Sequence, residues 1–327
     1  MTRAVTTHGP RPGELVSEPD IDMTAHLAGL ELPSPVLTAS GCAAAGRELD
    51  QFFDITTIGA VVTKSIMLNP RSGRPTPRMA ETPSGMLNGI GLQGPGIDSF
   101  IEKDLAWLSR RGARTIVSIA GGSYDEYQVV AAKLAQAEGV AAVEVNISCP
   151  NVAERGLVFA CNPVASAKVV SLVRSVIPND IPVFAKLSPD VTDITEIAAA
   201  VVKAGADGVS LINTVLGMVI DTNTLKPRLS GGTGGLSGPA IRPVAVRAVY
   251  QVRRAFPDLP ILGMGGIRTG LDALEFLAAG ANAVSVGTVV FNDPSALIRI
   301  HDELAVALHE RGYSRLVDAV SAAHRTD

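Results

Sequence analysis

The sequence predicts an α/β fold built from eight strand-and-helix units, on three observations. A short apolar run, a loop rich in glycine, serine or asparagine, and a helical stretch follow one another repeatedly from Pro35 onward. Eight such runs can be counted, the number of strands that closes a barrel, and barrels of about 250 residues or more form one domain. Hydrophobic residues make up 46% of the chain but aromatic residues only 4%, which suits closely packed layers of helix on sheet. Together these observations predict a single (β/α)₈ TIM barrel.

The eight runs are predicted to form parallel strands, because strands that alternate with helices pair in that way. They cover residues 36–39, 59–63, 115–119, 142–147, 183–187, 208–212, 261–264 and 283–286. A helical period near 3.6 follows most of them, at residues 124–137, 163–176, 195–204, 239–255 and 270–279. An open, doubly wound sheet would show the same alternation, so the pattern alone leaves that alternative open.

Several segments lie outside the repeat. Residues 1–20 lack the apolar stretch of a signal peptide and are expected to be a disordered extension before one domain, residues 21–327. Residues 21–33 predict a β-hairpin that plugs one end of the barrel. Residues 69–95 show no clear periodicity, residues 218–229 predict a second hairpin, and residues 231–239 form a glycine-rich loop. We expect these insertions at the C-terminal face, next to the site.

Composition excludes several functions. A net charge of −4 and a pI near 5.8 argue against a nucleic-acid partner, since such proteins usually carry a basic face. No segment reaches the roughly 18 apolar residues of a membrane helix. Cysteines stand only at positions 42, 149 and 161, which gives no disulfide framework and no metal-site spacing. The sequence therefore predicts a cytoplasmic protein that acts on a small molecule.

The segment 142–151, A-V-E-V-N-I-S-C-P-N, changes from core to polar chemistry within a few positions. Its β-branched residues predict a short buried strand, and Pro150 removes a backbone donor and ends it. Asn146, Cys149 and Asn151 then lie at a rigid strand tip. A free cysteine is often only a small buried hydrophobe, but its position between amide side chains favours a catalytic thiol.

In a barrel, the carboxyl ends of the strands converge on one face and carry the active site. The residues predicted there are two lysines, several amides and hydroxyls, and two glycine steps: Ser40-Gly41, Lys64-Ser65, Ser118, Asn146, Cys149, Asn151, Lys186, Asn213-Thr214, Gly265-Gly266 and Gly287-Thr288. The glycine steps favour a phosphate cradle, because missing side chains let backbone N–H groups approach an anion. The dinucleotide fingerprint G-x-G-x-x-G fails at Arg268.

Lys64 and Lys186 are embedded in apolar sequence, so each ammonium must meet an anion or a dipole. Facing a phosphate-bearing ligand, they suggest Schiff-base chemistry or electrostatic support of a cofactor that becomes negative. A Schiff-base aldolase needs no cysteine base, whereas oxidation of a C–H/C–H pair needs a base for the proton and a cofactor for the hydride. The thiol therefore favours oxidation of a C–H/C–H pair over Schiff-base chemistry, with a flavin as the cofactor that takes the hydride.

Motifs along most of the chain resemble the class 1 dihydroorotate dehydrogenases, and most closely the NAD-linked type 1B catalytic subunit. They are T-A-S-G-C (38–42), K-S (64–65), P-T-P-R (75–78), S-G-M-L-N-G-I-G-L-Q (84–93), N-I-S-C-P-N (146–151), K-L-S-P (186–189), I-N-T (212–214), G-G-L-S-G-P-A-I (234–241), G-M-G-G (263–266) and V-G-T (286–288). The resemblance implies FMN-dependent oxidation of (S)-dihydroorotate to orotate in pyrimidine biosynthesis.

The resemblance also implies the roles of individual residues. Cys149 would take the C5 proton while C6 gives a hydride to flavin N5, and Lys186 would stabilise charge on the reduced ring. FMN would contact Ser40, Lys64, Ser65, Ser118, Asn146, Lys186, Ile212, Gly238, Gly265, Gly266, Gly287 and Thr288. The pyrimidine would meet Lys64, Asn88, Gly89, Ile90, Gly91, Leu92, Asn146, Asn151, Asn213 and Thr214.

Partners follow from the same resemblance. Class 1 relatives suggest a homodimer, and type 1B members pass electrons to a subunit with FAD and a [2Fe–2S] cluster, which would give a heterotetramer. Such a cluster generally takes four cysteine ligands, and this chain has three scattered cysteines. The alternatives are a type 1A enzyme that reduces fumarate, a flavin barrel acting on another reduced pyrimidine, and a phosphate-binding lyase or aldolase.

The sequence departs from the family pattern at three places. Ser118 stands where type 1B members usually have a flavin-contacting asparagine, so a water would have to span the gap. Residues 43–45 are alanines in place of an aromatic-containing stretch, and Gly94 replaces an asparagine. These changes leave the base and the flavin site in place and bear on the substrate loops.

Overall fold

The structure is a computed structural model that describes residues 20–148 and 161–325. In these residues the strands are β1 (Ala25–Leu27), β2 (Leu30–Leu32), β3 (Val36–Thr38), β4 (Val61–Val62), β5 (Met79–Thr82), β6 (Gly85–Asn88), β7 (Thr115–Ile119), β8 (Ala142–Asn146), β9 (Val183–Lys186), β10 (Gly208–Leu211), β11 (Val215–Met218), β12 (Ile220–Asp221), β13 (Lys226–Pro227), β14 (Thr233–Ser237), β15 (Ile261–Met264) and β16 (Ala283–Val286).

The α-helices of the described ranges are α1 (Ile97–Ser99), α2 (Ala106–Arg111), α3 (Tyr124–Leu134), α4 (Pro163–Arg174), α5 (Ile194–Lys203), α6 (Arg242–Ala255), α7 (Gly270–Ala279) and α8 (Ala296–His309). A π-helical stretch, Phe100–Leu105, joins α1 to α2. Side-chain caps fix several helix starts: the hydroxyl of Thr269 accepts a hydrogen bond from the backbone of Asp272 in a capping box. Within residues 20–148 and 161–325, no helix combines the length and the hydropathy needed to cross a bilayer.

Eight parallel strands of the described chain form the central sheet, in the order β3-β16-β15-β10-β9-β8-β7-β4. The two outer strands of this order also meet, because the backbone N–H of Gly59 donates to Val36 (2.9 Å) and that of Thr38 donates to Ala60 (3.3 Å). The Thr38 hydroxyl also accepts a hydrogen bond from the backbone of Val62 at 2.8 Å. The predicted (β/α)₈ barrel is therefore confirmed, and the open doubly wound alternative is wrong.

The predicted strands agree with the observed ones to within two residues at each end. The largest difference is at residues 59–63, where only Val61–Val62 form ladder pairs. Gly59 bonds instead to β3, and the backbone of Thr63 donates to Ile116 at 3.0 Å. These flanking residues pair outside the regular ladder, which the local sequence does not reveal.

Both predicted hairpins are present. In the first, Ala25 pairs with Leu32 across a turn at Ala28 and Gly29, which have φ angles of 51° and 83°. Positive φ at both positions is typical of a tight two-residue turn. In the second, Ile220 pairs with Pro227.

The expectation of loops without regular structure at 69–95 and 231–239 is wrong. Strands β5 and β6 form within the first segment and β14 within the second, and with β11 they make a four-stranded sheet in the order β11-β14-β6-β5. We call this sheet the lid sheet. Its central pairing, Leu87 opposite Leu236, joins residues far apart in the chain. No local periodicity of the sequence could therefore predict this sheet.

Successive side chains of each barrel strand point alternately into the barrel and toward the surrounding helices, and both positions are buried. Glu144 and Asn146 of β8 share the inward face, where Asn146 lies opposite Lys186 and Glu144 opposite Phe184 of β9. All four side chains are at most 8% exposed. Two charged groups and an amide thus lie inside a mostly apolar sheet: Asn146 and Lys186 at the carboxyl ends of their strands, and Glu144 in the middle of β8.

We expect Gly270→Ala to lower the free energy of unfolding by about 1–3 kcal/mol. A Cβ atom at this position would lie 2.3 Å from backbone atoms of Glu303 and Leu304, because α7 and α8 touch there. Gly94→Ala is the matched control, since a Cβ added at Gly94 has no neighbour within 4 Å. Urea denaturation measures both variants, and equal midpoints would contradict the close helix contact.

Candidate active site

A cavity of about 670 Å³ opens at the carboxyl ends of the barrel strands. Ten of the residues singled out from the sequence line it: Ser40, Lys186, Ile212, Asn213, Thr214, Gly238, Gly265, Gly266, Gly287 and Thr288. Its volume is within the usual range for small-molecule and cofactor sites. The cavity therefore brings together residues that five barrel strands and the lid sheet contribute.

A chain of hydroxyl groups leads from this cavity into the barrel. Ser40 Oγ lies 3.2 Å from Ser65 Oγ, which lies 2.9 Å from Ser118 Oγ, and Ser118 donates to Glu144 Oε1 at 3.0 Å. Asn146 Nδ2 also donates to Ser65 Oγ at 2.9 Å. An ionised carboxylate can only accept. Ser118 must therefore donate to it, Ser65 to Ser118, and Ser40 to Ser65.

The direction of these hydrogen bonds has a consequence for the cavity. Because the single proton of Ser40 is used by Ser65, the Ser40 oxygen can face the cavity only as an acceptor. The flavin contact predicted for Ser118 stays a prediction: its side chain is fully buried and already bonded to Ser65 and Glu144.

The sequence predicts that Lys186 contacts an anion or a dipole, and the structure shows that this group is the carboxylate of Glu144. Its Nζ lies 3.7 Å from Glu144 Oε1, with the two side chains only 5% and 0% exposed. Glu144 was missed from the sequence, although it stands two residues before Asn146 in a strand and so on the same face. A charged residue inside a run of β-branched residues was the signal that could have found it.

Amide side chains form the next part of the site. Asn213 Nδ2 donates to Asn146 Oδ1 at 3.3 Å, and the backbone N–H of Ser148 donates to the same oxygen at 3.2 Å. Asn213 Oδ1 in turn accepts from the backbone of Thr214 at 2.9 Å. The Tyr127 hydroxyl donates to the backbone carbonyl of Asn146 at 2.8 Å. These bonds fix the orientation of both amides before any ligand arrives.

The glycine steps lie at the other end of the cavity. Gly265, Gly266 and Gly238 have φ angles of 135°, 77° and 91°, a region that favours glycine. A Cβ atom at Gly287 would lie 3.2 Å from both Ala39 Cβ and Cys42 Sγ. The glycines thus keep this wall free of side chains.

The lid sheet covers one side of the cavity, and sequence reasoning missed most of this contribution. The turn between β5 and β6 lines the cavity with residues 81–86. Thr288 Oγ1 donates to Ser237 Oγ of β14 at 2.8 Å. The predicted substrate residues Asn88, Gly89, Ile90, Gly91 and Leu92 continue directly from β6, and Asn88 Nδ2 donates to the Gly235 carbonyl at 3.3 Å.

Cys42 and Lys64 lie next to each other beside the cavity. Lys64 Nζ would be 3.5 Å from a Cβ atom at Gly41, and Cys42 lines the cavity. Burial raises the pKa of the Cys42 thiol above its ordinary value, and the positive charges of Lys186 and Lys64 offset part of this rise. At neutral pH this thiol is therefore protonated.

Two predicted residues, Cys149 and Asn151, lie outside the described residues. Their roles stay predictions. The described chain stops at Ser148, whose hydroxyl donates to the Lys186 carbonyl at 2.9 Å, so the last described residue before Cys149 is tied to the end of β9.

Residues 22–308 match the family model for dihydroorotate dehydrogenase. The chain belongs to the dihydroorotate dehydrogenase family. A similar protein from Geobacillus kaustophilus, named dihydroorotate dehydrogenase B (NAD⁺), catalytic subunit, is 46% identical over 93% of this chain and 96% of the relative. A protein of the same name from Anoxybacillus flavithermus is 47% identical over 90% and 93%. As a member of this family, the chain is a flavin-dependent oxidoreductase.

We expect alkylation of Cys42 by iodoacetamide to reach half its maximal rate above the pH of a free thiol, about 8.5. The reason is that the thiolate is the reactive form and burial disfavours it. Mass spectrometry of the Cys42 peptide across a pH series measures the rate. Lys64→Met should move the midpoint further up, because it removes one stabilising charge. A wild-type midpoint at or below about 8.5 would contradict the dominance of burial.

Proposed function

We propose that this chain oxidises (S)-dihydroorotate to orotate, a step of pyrimidine biosynthesis, with FMN and substrate held together at the barrel mouth. The observation that carries the proposal is the convergence of Lys186, Asn213 and the two glycine steps on one cavity. These residues come from separate strands, and their sequence motifs alone predict that they share one site. The family membership over residues 22–308 supports the same reaction.

The residues of the cavity fit FMN. A flavin mononucleotide needs hydrogen-bonding groups along its ring and an anion site for its phosphate. Lys186, Ser40 and Asn146 would serve the ring, and the backbone at Gly265, Gly266, Gly287 and Thr288 would hold the phosphate. The hydroxyls of Thr82 and Ser285 line the cavity, are buried, and have no hydrogen-bond partner among the described residues. Buried polar groups in this state call for a ligand or ordered water.

When bound, FMN supplies the hydride acceptor. Cys149, as the base, would take the proton from C5 of dihydroorotate, so that a C5–C6 double bond forms as the C6 hydrogen leaves as hydride. Lys64, Asn88, Asn151, Asn213 and Thr214 would hold the pyrimidine and its carboxylate. Lys186 would place a positive charge beside the ring that becomes electron-rich.

A separate electron-transfer subunit is implied by the relatives' description as a catalytic subunit. We propose that this partner carries FAD and a [2Fe–2S] cluster and passes electrons to NAD⁺, and that two copies of each subunit form a heterotetramer around a homodimer of this chain. The three cysteines of the chain are fewer than the four ligands of such a cluster. This supports placing the cluster in the partner.

The purified chain is expected to be yellow and to bleach when dihydroorotate is added without oxygen. Cys149→Ser should keep the colour and reduce its flavin on the order of 10²-fold more slowly or worse at neutral pH, because serine is a far weaker base. Stopped-flow absorbance measures the rate. Cys161→Ser is the matched control, since Cys161 is exposed and its Sγ lies 3.6 Å from the Asp190 carbonyl, away from the cavity. A chain that binds no FMN would end the proposal, and unchanged reduction by Cys149→Ser would require another base.

The electron acceptor can be identified by reoxidation. We expect the reduced chain alone to react slowly with NAD⁺ and rapidly once the co-purified subunit is added, because the nicotinamide site would lie in that partner. Fumarate and a quinone serve as comparison acceptors. Fast reoxidation of the isolated chain by fumarate would instead identify a fumarate-linked enzyme.

A further inference from the structure

Glu144 is a carboxylate sealed inside the barrel. It stands in the middle of β8 between Val143 and Val145, is 0% exposed, and is the only buried glutamate among the described residues. Placing a carboxylate in such surroundings costs several kcal/mol unless a positive charge and hydrogen bonds compensate it. Glu144 contributes nothing to the core that an apolar residue could not, so its presence calls for another role.

The contacts of Glu144 are confined to one of its two oxygens. Oε1 accepts a hydrogen bond from Ser118 at 3.0 Å and lies 3.7 Å from Lys186 Nζ. Oε2 is buried without a hydrogen-bond partner in the described part of the chain. At 3.7 Å the contact with Lys186 is an ion pair and is longer than a hydrogen bond. Lys186 therefore keeps its donors for the cavity that it lines.

The buried Lys186 ammonium is stabilised by this ion pair. Its side chain is 5% exposed, and an ammonium that is buried without an anion tends to lose its proton. The acidic residues that line the cavity are Glu81 and Asp293; among the described residues, Lys186 forms its salt bridge with Glu144. The carboxylate thus stabilises the ammonium from the side opposite the cavity.

We propose that Glu144 is a positioning residue that keeps the Lys186 ammonium charged against the flavin and thereby raises the reduction potential of the bound cofactor. The proposal rests on FMN occupying the cavity as argued above. Glu144 acts through Lys186 and is separated from the cavity by it. Its own negative charge opposes reduction of the flavin, so the net effect is favourable only because the ammonium that it maintains is the closer charge.

This mechanism predicts the sign of the effect of Glu144→Gln. If Glu144 maintains the charge of Lys186, the variant loses a positive charge beside the ring, and the potential becomes more negative. The preference for reduced over oxidised flavin should fall roughly tenfold, which is about 30 mV for a two-electron couple. If Lys186 kept its charge without Glu144, removing a carboxylate would make the potential more positive.

The test is a dye-equilibrated redox titration of the yellow protein and its variants. We expect Glu144→Gln and Lys186→Met to shift the potential in the same negative direction, and the double variant to match Lys186→Met alone. Asp207→Asn is the control: it removes a carboxylate that pairs with Arg174 at the amino end of β10, at the end of the barrel opposite the cavity, so its shift should be less than half as large. A positive shift, no shift, or additive shifts in the double variant would overturn the proposal.

A second measurement needs no variant. Redox-difference infrared spectra of wild-type protein labelled with ¹³C-glutamate should show an ionised carboxylate that responds to flavin reduction. The absence of any ionised glutamate signal that responds to flavin reduction would overturn the proposal even if Glu144→Gln failed to fold. A colourless wild-type protein would contradict the proposed function instead, so the two failures are distinguishable.

Discussion

A closed barrel of parallel strands withholds water from its interior, so each polar group placed there must be satisfied by another group of the barrel or by a ligand. The candidate site is a direct result of this constraint. Lys186 forms an ion pair with Glu144, and Glu144 accepts a hydrogen bond from Ser118. The hydroxyls of Ser65 and Ser40 continue this chain of hydrogen bonds to the cavity. Removal of Lys186 or of Ser118 would take from the buried Glu144 carboxylate its ion-pair partner or its hydrogen-bond donor.

The same constraint explains the electrostatic character of the cavity. One carboxylate and one ammonium are enclosed together, and the second lysine, Lys64, lies beside Cys42. The lining of the cavity includes three basic residues, Lys186, Arg268 and Arg299, and two acidic ones, Glu81 and Asp293, so its formal charge is positive. This is the field expected of a protein that binds an anionic cofactor and an anionic substrate, and it favours any state in which the bound ring gains electrons.

The sequence was sufficient for the barrel, because its strands are short buried runs with local signals and its helices have a regular period. It was also sufficient for Lys186, Asn213 and the glycine steps, since the carboxyl ends of parallel strands must converge. The role of Glu144 was not predicted, because a single charged residue between β-branched residues also fits an ordinary strand position. The lid sheet was missed because its pairs, such as Leu87 with Leu236, join segments about 150 residues apart and leave no local periodicity.

The lid sheet also constrains how a ligand can enter. Its four strands come from three separate stretches of the chain, yet they are hydrogen-bonded side by side as β11-β14-β6-β5. No one stretch can swing away from the cavity without breaking its ladder or carrying the others along. A ligand that enters on this side must therefore displace the lid sheet as one body. A substitution on β11 can then alter ligand entry, although β11 does not line the cavity.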